Sequence, residues 1–220
     1  MNNFGEIIDE YRRQTRDTTA PYLISNDEAI SNFNEAQREA FRRARLCVDS
    51  TTPSITKVSV NAGDSIVSID PRILSIRRAR LESRSCPLKK RIVREMDELS
   101  PGWDSQTSMS IPNSIVVDYK TDALFLYPTP INDDVLLLTV TREPLCDVEE
   151  DGDIPEINAR YHKSCIEWMK YRAYSDEDTD LFDEKKAAIA LSRFENEFGP
   201  SINAVNERFE FEHYDDIGER

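Results

Sequence analysis

Apolar residues at both ends of the chain recur every three or four positions, the spacing of one buried face of an α-helix. The stripe of a short opening helix consists of Phe4, Ile7, Ile8 and Tyr11. After the segment TTAPYLIS, Ser25 and Glu28 form a capping-box pattern, which is typical of a helix start. The stripe of this second helix consists of Ile30, Phe33, Phe41, Ala44 and Cys47. Residues 1–54 are therefore expected to supply the N-terminal helices of a bundle.

A helical hairpin is predicted over residues 146–200. Pro155 suits the first turn of a helix, because the backbone donor it lacks would have no partner there. The stripe that follows consists of Ile157, Tyr161, Cys165, Trp168 and Met169. Ser175, Asp176 and Asp178 offer side-chain oxygens to the free amides at the start of a second helix. The stripe and the stop of that helix consist of Leu181, Ala188, Leu191, Phe194 and Phe198, then Gly199.

Between these helical regions the period of the pattern shortens. Short runs rich in β-branched residues are separated by turn-forming residues, which is typical of β-strands. The runs are ITKVSV, SIVSI, ILSIRRARLE, SIVVDYK, ALFLYP and VLLLTVTRE. The predicted fold class is therefore α+β, with an antiparallel β-sheet or small β-sandwich at 55–145 inserted into the bundle. Residues 201–220 form a C-terminal tail that is expected to bind a partner or to be mobile.

Three local features follow from the same pattern. In ILSIRRARLE the apolar residues change parity at Arg77 and Arg78, so a β-bulge there would keep both apolar pairs on the buried face. These pairs are Leu74 with Ile76, and Ala79 with Leu81. A hairpin tip is predicted at residues 120–122. The segment RIVREMDELSPGW predicts a single helical turn that ends at Pro101, after which Trp103 covers the sheet.

The composition excludes several classes of protein. A chain of 220 residues with 39% hydrophobic residues can bury a core without disulfides or metals. The four cysteines form no CxxC pair and are expected to be reduced, mostly packed thiols. No apolar run approaches the roughly 20 residues of a membrane-spanning helix. The start of the chain also lacks the apolar block of a signal peptide, so we expect a soluble cytosolic product without membrane contact.

The net charge of −14 is unevenly distributed along the chain. Residues 72–94 carry nine Lys or Arg and one acid, whereas the last seventy residues carry 18 acids and 9 bases. A candidate subunit-interface patch consists of Arg77, Arg78, Arg80, Lys89, Lys90 and Arg91. Such a patch can face a nucleic-acid backbone or the acidic surface of a neighbouring copy, and we favour the neighbouring copy. A solvated basic strand without a partner is the third alternative.

The reactive side chains form no catalytic or metal-binding signature, so a non-enzymatic protein without a cofactor is predicted. His162 and Cys165 lie three residues apart on one helix face, yet a catalytic cysteine also needs an orienting group and an oxyanion site. As metal ligands the two residues lack further partners. We expect a hydrogen-bonded, partly buried histidine beside a packed cysteine. The acids at 176–180 are better explained by capping of a helix start.

The order of these parts resembles a known family. The sequence PGW follows a short acidic helix, LYPTP closes a hairpin, and IPEINARYHKSCIEWMKYRAYSDEDTDLFDEKKAAIALSRFENEFG follows the β region. These features resemble the head-to-tail adaptor (connector, or head-completion) proteins of tailed bacteriophages, over roughly Ser25 to Gly199. The resemblance implies a helical bundle with an inserted β region. It also implies a virion structural protein, of which about a dozen copies form a ring.

The resemblance further implies partners and a location. The ring would lie under the portal protein at the virion neck, contact a tail or tail-tube (nozzle) protein, and continue the channel for genomic DNA. Assembly would take place in the host cytoplasm. The basic patch would then meet an acidic surface of the next copy, and the channel wall would be acidic or mixed. Candidate portal or neighbour contacts in the tail are Phe209, Phe211 and Tyr214.

Two alternatives remain open at this point. One is a tail-tube or neck component that binds below the adaptor. The other is an acidic protein that mimics DNA and inhibits a host enzyme. The block of positive charge in the middle of the chain argues against mimicry, since a DNA mimic needs acids over most of its surface.

Overall fold

The computed structural model describes residues 1, 3–106, 108–177, 180–203 and 206. The chain divides into two compact units. The first, the helical unit, combines Met1–Leu46 with Glu143–Ser201. The second, the β unit, consists of Cys47–Arg142 together with Ile202, Asn203 and Asn206.

Helices and strands are numbered along the whole chain. The helices are α1 (Phe4–Thr15), α2 (Asn26–Ala44), α3 (Pro53–Thr56), α4 (Val93–Leu99), α5 (His162–Ser175) and α6 (Glu184–Phe198). The strands are β1 (Val48–Asp49), β2 (Lys57–Val60), β3 (Ile66–Ser68), β4 (Ile73–Leu81), β5 (Lys89–Arg91), β6 (Met109–Ser110), β7 (Ser114–Lys120), β8 (Ala123–Tyr127), β9 (Thr129–Pro130) and β10 (Asp134–Arg142). Short 3-10 helices lie at Trp103–Ser105 and Ala159–Tyr161. The predicted α+β class is confirmed.

The two predicted N-terminal helices are present, but Cys47, predicted in the stripe of the second, lies beyond its end at Ala44. The Ser25 hydroxyl accepts a hydrogen bond from the Glu28 amide at 3.1 Å, so the predicted cap of α2 is confirmed. The apolar stripe of α1 is buried. The Phe4 ring lies 5.3 Å from the Phe33 ring, which joins α1 to α2.

The segment between α1 and α2 is fixed by a buried ion pair. The Arg12 guanidinium lies 3.1 Å from the Asp17 carboxylate, and both side chains are almost completely buried. Arg12 also donates to the Ile24 carbonyl, and Asp17 accepts from the Leu23 and Ile24 amides. Because the Arg12 guanidinium and the Asp17 carboxylate are both hydrogen-bonded, the free-energy cost of burying their charges is offset. The pair therefore holds a connection that has no regular secondary structure.

The C-terminal hairpin is confirmed, but its boundaries differ from the prediction. Pro155 lies before the 3-10 turn, so the prediction that it occupies the first helical turn is wrong. The prediction that Ser175 and Asp176 cap the second helix is also wrong. Ser175 is the last residue of α5, and its hydroxyl donates to the Tyr171 carbonyl at 2.7 Å. Asp178, the third predicted cap, lies outside the described residues.

The second helix of the hairpin begins at Glu184, later than predicted. Asp183 is its N-cap and accepts from the amides of Lys185 and Lys186. These hydrogen bonds, first that from Lys186, lower the pKa of the Asp183 carboxyl. Leu181 lies outside the helix and Ala188 is exposed, because the buried face of α6 runs through Ala187, Ala190, Phe194 and Phe198, so both predictions for the stripe are wrong. The stop at Gly199 is confirmed, because its amide donates to the Glu195 carbonyl at a φ of 89°.

Aromatic side chains fill the interior of the hairpin. The Trp168 ring lies 4.8 Å from the Phe194 ring, and the Phe194 ring lies 4.7 Å from the Phe198 ring. Phe194 is fully buried. The amide of Asp183 donates to the Tyr174 carbonyl and closes the connection between α5 and α6.

The first sheet of the β unit is antiparallel and is built around β10. This strand pairs with β4 along one side and with β1 and β2 along the other. Thr139 pairs with Arg78 and Val140 pairs with Ile76, which leaves Arg77 as the extra residue. The predicted bulge is thereby confirmed, and it keeps the apolar pairs on both sides of it buried.

The second sheet has the order β3–β8–β7–β5 and is mixed, because β5 pairs with β7 in parallel. The predicted strands of this sheet, β3, β7 and β8, pair antiparallel as expected, whereas β5 was not predicted as a strand. The hairpin of β7 and β8 is confirmed, with Lys120 opposite Ala123 and Asp122 at a φ of 53°. A parallel ladder joins β6 to β9.

Trp103 covers this second sheet, as predicted. Its ring contacts Phe125 edge-on at 4.8 Å, and its indole N–H donates to Asp97 at 2.9 Å. The buried cluster around it includes Met96 and Val116. The helix before it, α4, has seven residues and is longer than the predicted single turn. Among the described residues, no helix has both the length and the apolar character needed to cross a bilayer.

Candidate subunit-contact surface

The six basic residues predicted as one patch fall on two strands of different sheets. Arg77, Arg78 and Arg80 belong to β4, and residues 89–91 form β5 at the edge of the mixed sheet. The Leu88 amide donates to the Ala79 carbonyl at 2.8 Å, so the start of β5 adjoins β4. The predicted patch is therefore two basic strands that meet at one point.

A groove lies on one face of the antiparallel sheet, and we call it the sheet-face groove. Arg80 pairs with Leu137 on β10, and Leu137 pairs on its other side with Lys57 of β2. Arg78 and Arg80 lie two residues apart on β4 and therefore share this face. The groove has a volume of about 300 Å³, and its cations are accompanied by the hydroxyls of Ser50, Thr56 and Thr139. No carboxylate is among the residues that line it.

Two cations of the sheet-face groove lack the ion pairs that nearby basic residues of the sequence make. Arg78 and Lys57 make no ion pair within the part of the chain that the structure describes, and both are exposed. By contrast, Arg72 binds the Asp70 carboxylate at 2.8 Å and holds its pKa below the usual range. Arg94 lies 3.4 Å from Glu98. The groove therefore presents positive charge that no acid of the described chain compensates, and it attracts anions.

The basic residues of β5 have a simpler local role. Lys89 is exposed, Lys90 and Arg91 are half-buried, and Arg91 donates to the Ser114 hydroxyl at 3.4 Å. An edge strand with basic side chains resists pairing with strands of other molecules. We therefore assign the contact surface to the sheet-face groove, with β5 beside it.

Sequence reasoning missed Lys57. This residue is 21 positions before Arg78 in the sequence, outside the basic segment, and only the pairing of both β2 and β4 with β10 joins it to the groove. The alternation in ITKVSV could have indicated which face Lys57 occupies, but not which strand lies beside it.

The buried charges of the β unit are paired. The Arg142 guanidinium lies 2.7 Å from the Asp49 carboxylate, and both are almost completely buried. Burial opposes the ionisation of Asp49, but hydrogen bonds from Thr52 and Arg142 outweigh it and lower its pKa. This pair supports the sheet and has no exposed charge to offer a ligand.

The two reactive residues of α5 in the helical unit, Cys165 and His162, are buried. Burial raises the pKa of the Cys165 thiol, so the nucleophilic thiolate is suppressed. His162 is fully buried, not partly as predicted, and its Nε2 lies 3.0 Å from the Ile157 carbonyl. Burial lowers the pKa of His162. No group of residues in the described ranges could hold a metal ion.

The four cysteines are free, but they are less packed than predicted. Cys165 is buried and Cys47 is half-buried, whereas Cys86 and Cys146 are exposed. The prediction of mostly packed thiols is therefore wrong for the two exposed residues. The candidate tail contacts Phe209, Phe211 and Tyr214 lie outside the described residues.

Comparison with protein families gives a match over most of the chain. Residues 2–210 match the model of a family described as SU10 adaptor protein. No curated protein matches the chain. The family match spans both units and includes every residue of the sheet-face groove. The chain therefore belongs to the SU10 adaptor protein family, whose members are structural proteins of the bacteriophage head-tail junction.

Proposed function

We propose that this protein forms a closed ring beneath the portal, joins the capsid to the tail and continues the DNA channel without catalysing a reaction. Its partners are the portal protein, a tail or tail-tube (nozzle) protein, and about a dozen copies of itself. The match to an adaptor family supports a location at the virion neck. Assembly takes place in the host cytoplasm.

The sheet-face groove is the observation that carries the ring. Copies arranged around a ring meet through two different surfaces, so each copy needs one surface that complements another surface of its neighbour. A groove with three cations and no carboxylate, on a chain of net charge −14, meets this requirement. The acidic remainder of an identical copy is a complementary partner.

The charges of the groove orient the contact more than they stabilise it. An exposed ion pair contributes up to about 1 kcal/mol, whereas complementary charge raises the rate of encounter and disfavours wrong orientations. Apolar contact must supply most of the affinity. The β unit offers Ile111 and Ile131, both exposed, beside a cleft of about 320 Å³ that also includes Pro112 and Pro130.

The groove faces the next copy in this proposal and not the channel. Adhesion to DNA phosphates grows with every Lys or Arg presented to them, and an adhesive wall would slow the passage of the genome. A channel wall that is acidic or mixed avoids this cost.

Charge reversal in the groove tests the proposal. We expect the double variant Arg78→Glu with Arg80→Glu to lose ring formation, because the acidic groove repels the neighbouring copy. Mass photometry and electron microscopy, each with and without purified portal, measure the ring. The control is Arg94→Glu, which removes an exposed charge on α4 away from the groove and is expected to leave the ring intact.

Three results would contradict the proposal in different ways. An unchanged ring in the double variant would remove the groove from the interface, and a lost thermal unfolding transition would show that the arginines support the fold. A wild-type protein that stays a monomer or dimer and does not bind portal rings would favour the acidic inhibitor. A ring that binds tail-tube protein but not portal would favour the component below the adaptor.

A further inference from the structure

A second basic groove lies on the helical unit, among residues of α1, α5 and α6 and the residue that follows α1. We call it the bundle groove. It has a volume of about 470 Å³ and is lined by four cations and a single carboxylate, Glu167. The cations are Arg16, Lys170, Lys186 and Arg193.

The charges in the bundle groove are only partly compensated. Lys170 is buried and binds Glu167 at 2.8 Å and the Gln14 side chain at 3.3 Å, so its charge is satisfied inside the unit. Arg193 lies 3.6 Å from the same Glu167, but 60% of its side chain is exposed. Lys186 contacts Asp183, and Arg16 makes no ion pair among the described residues. The groove keeps a positive rim in an otherwise acidic chain.

Apolar surface accompanies this positive rim. Ile189 lines the groove and is 54% exposed, although large apolar side chains on helices are usually buried. Tyr174 lines the groove as well, and the Lys186 ammonium lies 5.5 Å from the centre of its ring. A complementary ligand would carry several carboxylates and at least one aromatic or aliphatic side chain.

The chain itself contains such a ligand. Residues 207–220, ERFEFEHYDDIGER, carry six acids and two bases. Their aromatic residues are Phe209, Phe211 and Tyr214. If this segment binds in an extended conformation, Phe209 and Phe211 share one side and the acids at 210 and 212 share the other. This alternation offers aromatic side chains to Ile189 and carboxylates to the basic rim.

We propose that the bundle groove binds the acidic C-terminal segment, residues 207–220, of a second copy of the chain. The second copy follows from the course of the chain after α6. Ile202, Asn203 and Asn206 group with the β unit, so the chain has left the helical unit before the segment begins. Fourteen extended residues reach about 45 Å, which is enough to span to an adjacent subunit. The inference rests on the proposed ring, since the ring holds a second copy within reach.

Peptide binding tests the groove without portal or ring. The probe is a fluorescein-labelled peptide of residues 203–220. The protein is the full chain with Glu207→Lys, Glu210→Lys and Glu212→Lys, so that its own tail does not compete. We expect saturable binding by fluorescence anisotropy that weakens at least tenfold when Lys186→Glu and Arg193→Glu are added. The matched control is Lys185→Glu, on the same helix but outside the groove, which should leave the affinity unchanged.

Two results of this titration would overturn the groove as the binding site. One is equal affinity in the variant with the reversed groove. The other is equal affinity for a peptide of the same composition in scrambled order, which would show attraction by charge alone. A failure of either kind leaves the proposed ring standing if wild-type protein still assembles on portal. If the peptide binds as expected but the protein forms no ring, the proposed adaptor assembly is refuted. The bundle groove would still be the binding site of the peptide.

A dilution series separates a second copy from the chain's own tail. If the tail of a second copy occupies the groove, the wild-type chain competes with the peptide only as protein concentration rises. If a chain fills its own groove, competition is the same at every concentration, because the tethered segment has a fixed effective concentration. Constant competition would therefore overturn the assignment to a second copy.

Discussion

Ion-paired cations of the helical unit contrast with the cations of the sheet-face groove in the β unit. In the helical unit, Arg43 lies 2.8 Å from Glu39, Arg172 lies 3.1 Å from Glu35, and Arg12 is buried against Asp17. In the β unit, Lys57 and Arg78 stand exposed and make no ion pair among the described residues. Charges of the first kind connect segments within the fold, whereas we propose that charges of the second kind bind a partner. The difference predicts which substitutions damage the fold and which damage assembly alone.

Loss of the buried ion pair is expected to have the largest effect. Asp17→Ala leaves the Arg12 guanidinium buried without its carboxylate and removes the acceptor for the Leu23 and Ile24 amides. We expect the free energy of unfolding to fall by about 3–5 kcal/mol. Urea denaturation followed by circular dichroism measures it.

The control for this prediction is Arg172→Ala, which breaks a half-exposed pair on the same unit. It is expected to cost less than about 1 kcal/mol. Similar losses in the two variants would show that burial does not distinguish the ion pairs of the helical unit.

Acid should destabilise the helical unit through His162. Burial lowers its pKa, so the unfolded chain takes up a proton first as the pH falls below about 6.5. Stability is therefore full above that pH and falls by at most about 1.4 kcal/mol per pH unit until the lowered folded pKa is reached. Thermal melts at pH 7.5, 6.5 and 5.5 measure the slope, and His162→Gln should flatten it. An equal slope in the variant would assign the acid sensitivity to other groups.

Deletion of Arg77 is expected to have the smallest effect. The residue is the extra one in its bulge, so its removal restores continuous pairing of β4 with β10 from Ser75 to Leu81 and keeps both apolar pairs on the buried face. The second irregularity of the ladder, between Thr141 and Arg142, is unaffected. We expect a change in unfolding free energy below about 1 kcal/mol. Deletion of Ala79 is the contrasting variant, because it turns Leu81 to the exposed face and Arg80 inward. Comparable losses from the two deletions would mean that the bulge itself stabilises the sheet.

The sequence predicts the elements with strong periodicity or local chemistry. The cap at Ser25, the stop at Gly199, the six predicted strands and the bulge in β4 all follow from patterns within a few residues. The start of α6 was misplaced because several acids precede it, and any of them offers a cap. Only the folded chain selects Asp183.

What the sequence cannot predict depends on pairing between distant segments. The strands β1, β5, β6 and β9 have two or three residues each, too few for a periodic pattern. They exist because a neighbouring strand supplies hydrogen bonds. Lys57 joins Arg80 for the same reason, through β10. Likewise, the bundle groove combines residues from both ends of the chain, which no local pattern indicates.

The insertion of one unit within the other affects how the protein emerges from the ribosome. The strands of the described residues all lie in the continuous stretch Cys47–Arg142, whereas the helical unit needs both Met1–Leu46 and Glu143–Ser201. The sheets can therefore form before α5 and α6 are translated. Until then the apolar stripes of α1 and α2 are uncovered. In that state a nascent copy exposes the apolar faces of α1 and α2, which favours aggregation. Synthesis of the last third of the chain covers these faces.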